Sequence, residues 1–138
     1  MILLDTDAFS LHQFGHERFL KRFQTANEVP AITVITQVEA LRGRHDRLWK
    51  AEDGVHLLRA QQGLIHTMRH LELFQVVLFD DAIVAEFDRL RQNKKLKKIG
   101  RGDLLIASIV LSKRATLITR NLKDFRQVPG LQIENWAD

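Results

Sequence analysis

Short unbroken apolar runs alternate along this chain with longer stretches in which apolar residues recur every three or four positions. The first run, Ile2-Leu3-Leu4, has no polar alternation and suits a strand buried on both faces of a parallel sheet. It ends in Asp5-Thr6-Asp7. From about Ala8 to Gln24 the spacing of Phe9, Leu11, Phe14, Phe19, Leu20 and Phe23 is helical. Gly15 predicts a break there into two short helices, the first capped by Asp7. Ala31 to Ile35 predicts a second buried strand, after which Thr36 starts a helix carrying Glu39 and Leu41. The longest helical pattern covers about Glu52 to Leu73, with Leu57, Ala60, Leu64, Met68 and Leu71 as one apolar stripe.

Gln75 to Phe79 predicts a third strand, closed by Asp80-Asp81. Ala82 to Gln92 predicts an amphipathic helix with Ile83, Val84, Phe87 and Leu90 toward the core. A basic, glycine-ended loop over 93–102 leads to Asp103 and to Leu104–Leu111, a helix so apolar on all sides that it belongs at the centre. Ala115 to Thr119 predicts a fourth strand, Arg120 to Phe125 a turn or short helix, and Leu131 to Ile133 a fifth, edge strand. Strands alternating with helices, without a linker or repeat, predict one domain over residues 1–138. The expected fold class is α/β, a three-layer α/β/α arrangement around a mostly parallel central sheet of four to five strands.

Composition narrows the function classes rather than choosing one. The chain has 138 residues, 45% of them hydrophobic and 28% charged, which is the balance of a globular domain with a sizeable core. No apolar run approaches the roughly 20 residues needed to span a bilayer, so no membrane association is expected. The first strand begins at once, without a basic region or cleavage site, so no secretory signal is expected and a cytoplasmic location fits. The absence of cysteine excludes disulfides, zinc-thiolate sites and thiol nucleophiles. A formal charge of +4 is compatible with a nucleic-acid partner but does not require one.

Ligands of open α/β sheets bind outside the carboxyl ends of the strands, and acids are concentrated there. Each has a structural role available to it. Asp5 and Asp7 could satisfy backbone donors of a turn, and Thr36-Gln37-Val38-Glu39 has the form of a capping box. Asp103 stands where an N-cap belongs, and Asn121 and Asp124 are ordinary turn residues. Taken together, however, Asp5, Glu39, Asp103 and the Thr119-Arg120-Asn121 segment follow strand ends or open helices, which right-handed crossovers bring to one sheet edge. Carboxylates gathered there repel one another unless a cation sits among them. Hard oxygen ligands suit Mg²⁺ or Mn²⁺ and the metal-assisted hydrolysis of phosphodiesters.

These residues carry a family resemblance over nearly the full length. Leu4-Asp5-Thr6-Asp7, Thr36-Gln37-Val38-Glu39-Ala40-Leu41-Arg42-Gly43 and Gly102-Asp103-Leu104-Leu105-Ile106-Ala107 occur in order. They are followed by Leu117-Ile118-Thr119-Arg120-Asn121-Leu122-Lys123-Asp124-Phe125 and a Val128-Pro129-Gly130-Leu131 to Trp136 ending. The set resembles the PIN domain, specifically the VapC-type toxin ribonucleases of bacterial type II toxin–antitoxin pairs. The resemblance implies that Asp5, Glu39 and Asp103 are the core metal-site acids of an Mg²⁺- or Mn²⁺-dependent endoribonuclease. It puts Asn121 at a fourth position, where some members have Asp, and Asp124 where a second metal or its water shell could be held. Thr6, Asp7 and Thr119 would orient a carboxylate or a water. A tRNA or rRNA substrate, a homodimer and a small antitoxin whose peptide reaches the acidic groove are also implied.

Cations flank the proposed edge. Lys94, Lys95, Lys97, Lys98 and Arg101 precede Asp103 and could hold RNA phosphates, as could Arg42 beyond Glu39. A solvated loop and a helix surface are the plainer readings of the same charges. His66 and His70 are four apart on the long helix, a spacing that two zinc ligands could share, although exposed histidines are commoner. Two other functions compete with the nuclease. One is a PIN-like module that binds RNA or protein without cutting. The other is a phosphatase of the haloacid dehalogenase type, suggested by Asp5-Thr6-Asp7 with Asp80-Asp81 as its distal acids.

Overall fold

A computed structural model describes all residues, Met1–Asp138. Five strands form one parallel sheet in the order β3-β2-β1-β4-β5: β1 (Ile2–Leu4), β2 (Ala31–Thr33), β3 (Val76–Val77), β4 (Thr116–Ile118) and β5 (Gln132–Glu134). β1 is the centre of the sheet, pairing Leu3 with Ala31 on one side and with Leu117 on the other. The sheet is thus wholly parallel, and the expected α/β/α architecture is borne out. β5 takes the expected edge.

Alternation along these strands divides the core. Leu3, Ala31 and Leu117 face a layer built from α5 (Asp81–Arg91), α6 (Arg101–Lys113) and the short α7 (Leu122–Phe125). Leu4, Ile32 and Ile118 face the other layer, of α1 (Thr6–Gln13), α2 (Glu17–Gln24) and α4 (Gly54–Leu71). Helix α3 (Val34–Lys50) leads out of β2 and packs along α4 as an antiparallel hairpin. As its sequence predicts, α6 is central, with Ile106, Ala107, Ile109 and Val110 fully buried. Its buried Ser108 hydroxyl donates to the Leu104 carbonyl at 2.8 Å, so the polar atom costs little.

Several local expectations are corrected. The cap of α1 is Asp5, whose Oδ1 accepts from the Ala8 amide at 2.8 Å, and Asp7 lies inside the first turn. β2 stops two residues early. Thr33 is the N-cap of α3 and accepts from the Thr36 amide, so Thr36 and Glu39 form no capping box. Asp103 is not a cap either, because α6 begins at Arg101 behind Gly100. The stripe on α4 is rotated: Leu57 and Met68 are 48% and 44% exposed, whereas Thr67 and Leu71 are buried. The physical cause is the hairpin, in which Arg44 lies against Gly63 and donates from Nε to Thr67 Oγ1. Val84 on α5 is likewise outside the core, at 46% exposure.

Candidate active site

All five strands point the same way, so the segments leaving β1, β2 and β4 emerge at one edge, beside the start of α6. Asp5 leaves β1 with its backbone amide still bonded to the Ile118 carbonyl at 3.1 Å, which fixes the carboxylate at the centre of that edge. It is 5% exposed. Burial raises its pKa to about 6, against hydrogen bonds from the Thr119 hydroxyl and the Ala8 amide, while Asp7 and Asp103 push it further upward. Thr119, itself buried, also accepts from the Asn121 amide at 2.9 Å, so one hydroxyl ties the β4 end to the Asp5 carboxylate.

Glu39 sits in the second turn of α3 and reaches across to α1. Its Oε1 accepts from Thr6 Oγ1 at 2.6 Å, and Thr6 Oγ1 lies 3.1 Å from the Thr36 hydroxyl. On the opposite side Glu39 lies against Gly102, where an added Cβ would come within 2.6 Å of Oε2. The glycine is therefore what allows α6 to start next to the glutamate. Asp103, third in α6 and half-buried, has its pKa raised by burial and then by the Glu39 and Asp124 charges, against a hydrogen bond from Asn121. Asn121 Nδ2 donates to both Asp103 Oδ2 (3.1 Å) and Asp124 Oδ2 (3.0 Å). A neutral amide thus separates the two acids.

The acids of this edge share one electrostatic feature. None of the eight ion pairs in the protein involves Asp5, Asp7, Glu39, Asp103 or Asp124. Their mutual repulsion is not relieved by any lysine or arginine. As arranged, no group of three or more Asp, Glu or His side chains stands close enough to hold an ion. Glu39 is turned onto Thr6 and Asp5 onto its cap. Asp7 is exposed at the rim and reaches Asp5 only through its charge.

The remaining predicted positions fall around this edge or away from it. Lys94–Leu96 forms a 3-10 turn, and the loop is anchored by buried Leu96 and Ile99 while Lys94, Lys95, Lys97 and Lys98 are exposed and unpaired. Arg101 stacks over Phe87 at 5.5 Å. Arg42 is exposed on α3. His66 and His70 do not form a ligand pair. His66 Nδ1 is bonded to Gln13, and His70 Nε2 meets His12 Nδ1 at 2.9 Å inside a cage with Phe9, Phe23 and Phe74. Asp80 caps α5 and pairs with Lys113, so it has no part in the edge. Sequence reasoning missed two residues, Thr36 as a member of the Thr6–Glu39 network and Gly102 as the spacer; the Gly-Asp step before an apolar helix was the available signal for the second.

Comparison with known proteins agrees with this geometry. The PIN domain family model matches residues 2–131. Ribonuclease VapC2 of Rickettsia felis is 37% identical over 68 residues, 48% of this chain and 51% of that protein, so the match spans about half its length. The tRNA(fMet)-specific endonuclease VapC of Salmonella typhimurium is 27% identical over 122 residues, 88% of this chain and 86% of the relative. Among solved structures, VapBC2 from Rickettsia felis bound to a promoter DNA fragment superposes with a TM-score of 0.76 at 27% identity, covering 99% of both chains. DNA-bound VapBC from Salmonella typhimurium, at 23% identity, shares the fold with a TM-score of 0.81 over 98% of this chain and 97% of that one. With the match running through every element that carries the acids, the chain belongs to the PIN domain family.

Proposed function

We propose that this chain is a divalent-metal-dependent endoribonuclease and the toxin of a type II toxin–antitoxin pair. The observation that carries this reading is the set of mutually repelling carboxylates at one sheet edge, Asp5 buried and Asp103 half-buried among them, with no ion-pair partner to compensate them. Oxygen donors without sulfur or imidazole fit Mg²⁺ or Mn²⁺. Asp5, Glu39 and Asp103 would hold the ion, and Asp124 lies beside them. The amide of Asn121 already serves Asp103 and Asp124, which favours a single ion over two. When bound, the metal supplies an activated water and a counter-charge for the phosphodiester.

The chain's own residues do the positioning. Thr6 orients Glu39, Thr119 orients Asp5, and Asn121 keeps Asp103 and Asp124 apart. Arg42, Lys94, Lys95, Lys97, Lys98 and Arg101 offer phosphate contacts whose strength falls with salt. The names of the relatives, ribonucleases and a tRNA-specific endonuclease, favour RNA over other phosphodiesters. The structural neighbours are toxin–antitoxin complexes, which favours an antitoxin partner for this chain. An arginine from that partner, paired with the edge acids, would block the site. A homodimer completes the assembly. The phosphatase alternative loses its support, since Asp80 is occupied elsewhere and Glu39 has no role in it.

The test is cleavage of a mixed tRNA and rRNA pool with Mg²⁺, with Mn²⁺ and with chelator, beside Asp5→Asn. Discrete fragments that need the metal and disappear in the variant are expected. Intact RNA under all conditions, from folded protein free of antitoxin, would transfer the reading to a binding module without catalysis.

A further inference from the structure

The end of α5 comes to the same edge of the molecule as the acids. α5 runs antiparallel to α6: Asp80, its cap, meets Lys113 at the end of α6 at 3.2 Å. Phe87 and Arg91, near the other end of α5, share a crevice with Arg101 and Leu104 in the first turn of α6. This crevice holds about 240 Å³, and the loop that carries the lysines closes one side of it. Its charged lining is Arg91, Lys97 and Arg101, with no aspartate or glutamate among the lining residues. Arg91 is paired with Asp88 at 3.0 Å. Lys97 and Arg101 are exposed and take part in none of the ion pairs.

Arg101 is the centre of this arrangement. Its guanidinium carbon stands 5.5 Å over the half-buried Phe87 ring, within the range of a cation–π contact. A planar cation so held, and without a carboxylate partner, is a surface on which an unpaired base stacks. The crevice is smaller than the ~300–1,000 Å³ of a pocket for a drug-sized ligand and suits a single ring system. Asp103, two residues on, leaves α6 about 160° around from Arg101, so the width of the helix start, about 10–12 Å, separates crevice and acids. Glycines flank Arg101 on both sides, and a Cβ at Gly100 would meet nothing within 4 Å, so the backbone there is uncovered.

We propose that the crevice between α5 and α6 is a base-binding subsite for the RNA strand, in which one nucleobase stacks on Arg101, itself held by Phe87, while Lys97 meets a neighbouring phosphate. This rests on the reading of RNA as the substrate. A nucleotide is the occupant because the lining calls for negative charge and a flat ring together: cations without acids, around a planar group. A base seated there is free of any duplex, so cuts are expected close to unpaired residues.

Binding, not cleavage, tests it. The probes are two uncleavable single strands of about twelve nucleotides, within the range that such surfaces accommodate. One is 2′-O-methylated oligo(A), and the other is an abasic backbone of the same length and charge. By anisotropy, the wild type is expected to bind oligo(A) about tenfold more tightly than the abasic strand. Arg101→Lys keeps the charge and removes the plane, so this ratio should fall toward about one while the salt dependence stays as it was. Phe87→Leu, which leaves an apolar side chain but no ring beneath the guanidinium, should lower the ratio in the same direction. Thermal melts establish that both variants are folded. In Lys97→Gln both strands should bind more weakly, with a log–log salt slope shallower by about 0.7. Equal affinity of the wild type for the two strands, or a ratio that Arg101→Lys leaves unchanged, would overturn the proposal and leave the nuclease reading standing if RNA is still cut. A ratio that is lost in Arg101→Lys, in a protein that cuts no RNA with either metal, would do the reverse.

Discussion

A methyl group at position 102 would stand 2.6 Å from Glu39 Oε2, and the atom that must yield is the end of a flexible side chain rather than backbone. Gly102→Ala should therefore leave the melting temperature nearly unchanged, since alanine also suits the helix, while lowering RNA cleavage at least tenfold by displacing Glu39. Thermal melts and initial rates on one preparation check the two halves. Asp5 gives a prediction of opposite kind. Its folded pKa of about 6 lies above the ordinary 3.8, so the unfolded carboxyl ionises first and the fold loses stability as pH rises from about 4 to about 6. Above that, the charged carboxylate costs on the order of 3 kcal/mol. Asp5→Asn should melt higher than wild type at neutral pH without metal, and the gap should close as pH falls toward 4. Added Mg²⁺ should raise the melting temperature of the wild type only. A gap that does not depend on pH would show that the carboxylate is not strained by burial.

At the scale of elements, strand and helix existence was legible because burial enforces it: the short apolar runs at Leu3-Leu4, Ala31-Ile32 and Leu117-Ile118 are buried central strands, and the spacing of Phe9 and Phe19 marks two helices. Element starts were not legible where a side chain had two possible duties. Thr33 and Thr36 both precede an apolar turn, and only the contact of Thr36 with Thr6 decides that the cap is Thr33. Asp5 and Asp7 present the same ambiguity, settled by the bond from Ala8. The pairing of His12 with His70 was beyond reach, because the residues are 58 positions apart and nothing local marks them. That contact between α1 and α4 should be sensitive to acid. Burial, together with His12 and His66, pushes His70 down to about 4. An unfolded histidine binds its proton near 6.5, so this contribution is complete above that pH and is lost progressively as pH falls toward 4. His70→Phe, which keeps the ring in its aromatic cage, should flatten the decline in melting temperature below about pH 6.5 relative to wild type. An unaltered slope would place the acid sensitivity elsewhere.

For the whole molecule, the strand order decides what the acids can do together. The order β3-β2-β1-β4-β5 sets Asp5 between the ends of its two neighbours, and a different order would scatter the same residues. The candidate acids Asp5, Glu39 and Asp103 were legible as a pattern around strand ends and Asn121 and Asp124 through the family resemblance, whereas the parts played by Thr36 and Gly102, which have no charge, were not. No helix is long and apolar enough to cross a membrane. The central position of β1 has a further consequence for synthesis. Its residues are made before those of the other four strands, yet one of its two partners is β4, at Thr116–Ile118. The first strand must wait until β4 has been made before its second edge is covered, and Asp5 waits with it. A nascent chain that has not yet delivered β4 carries Asp5 at the end of a strand paired on one side only.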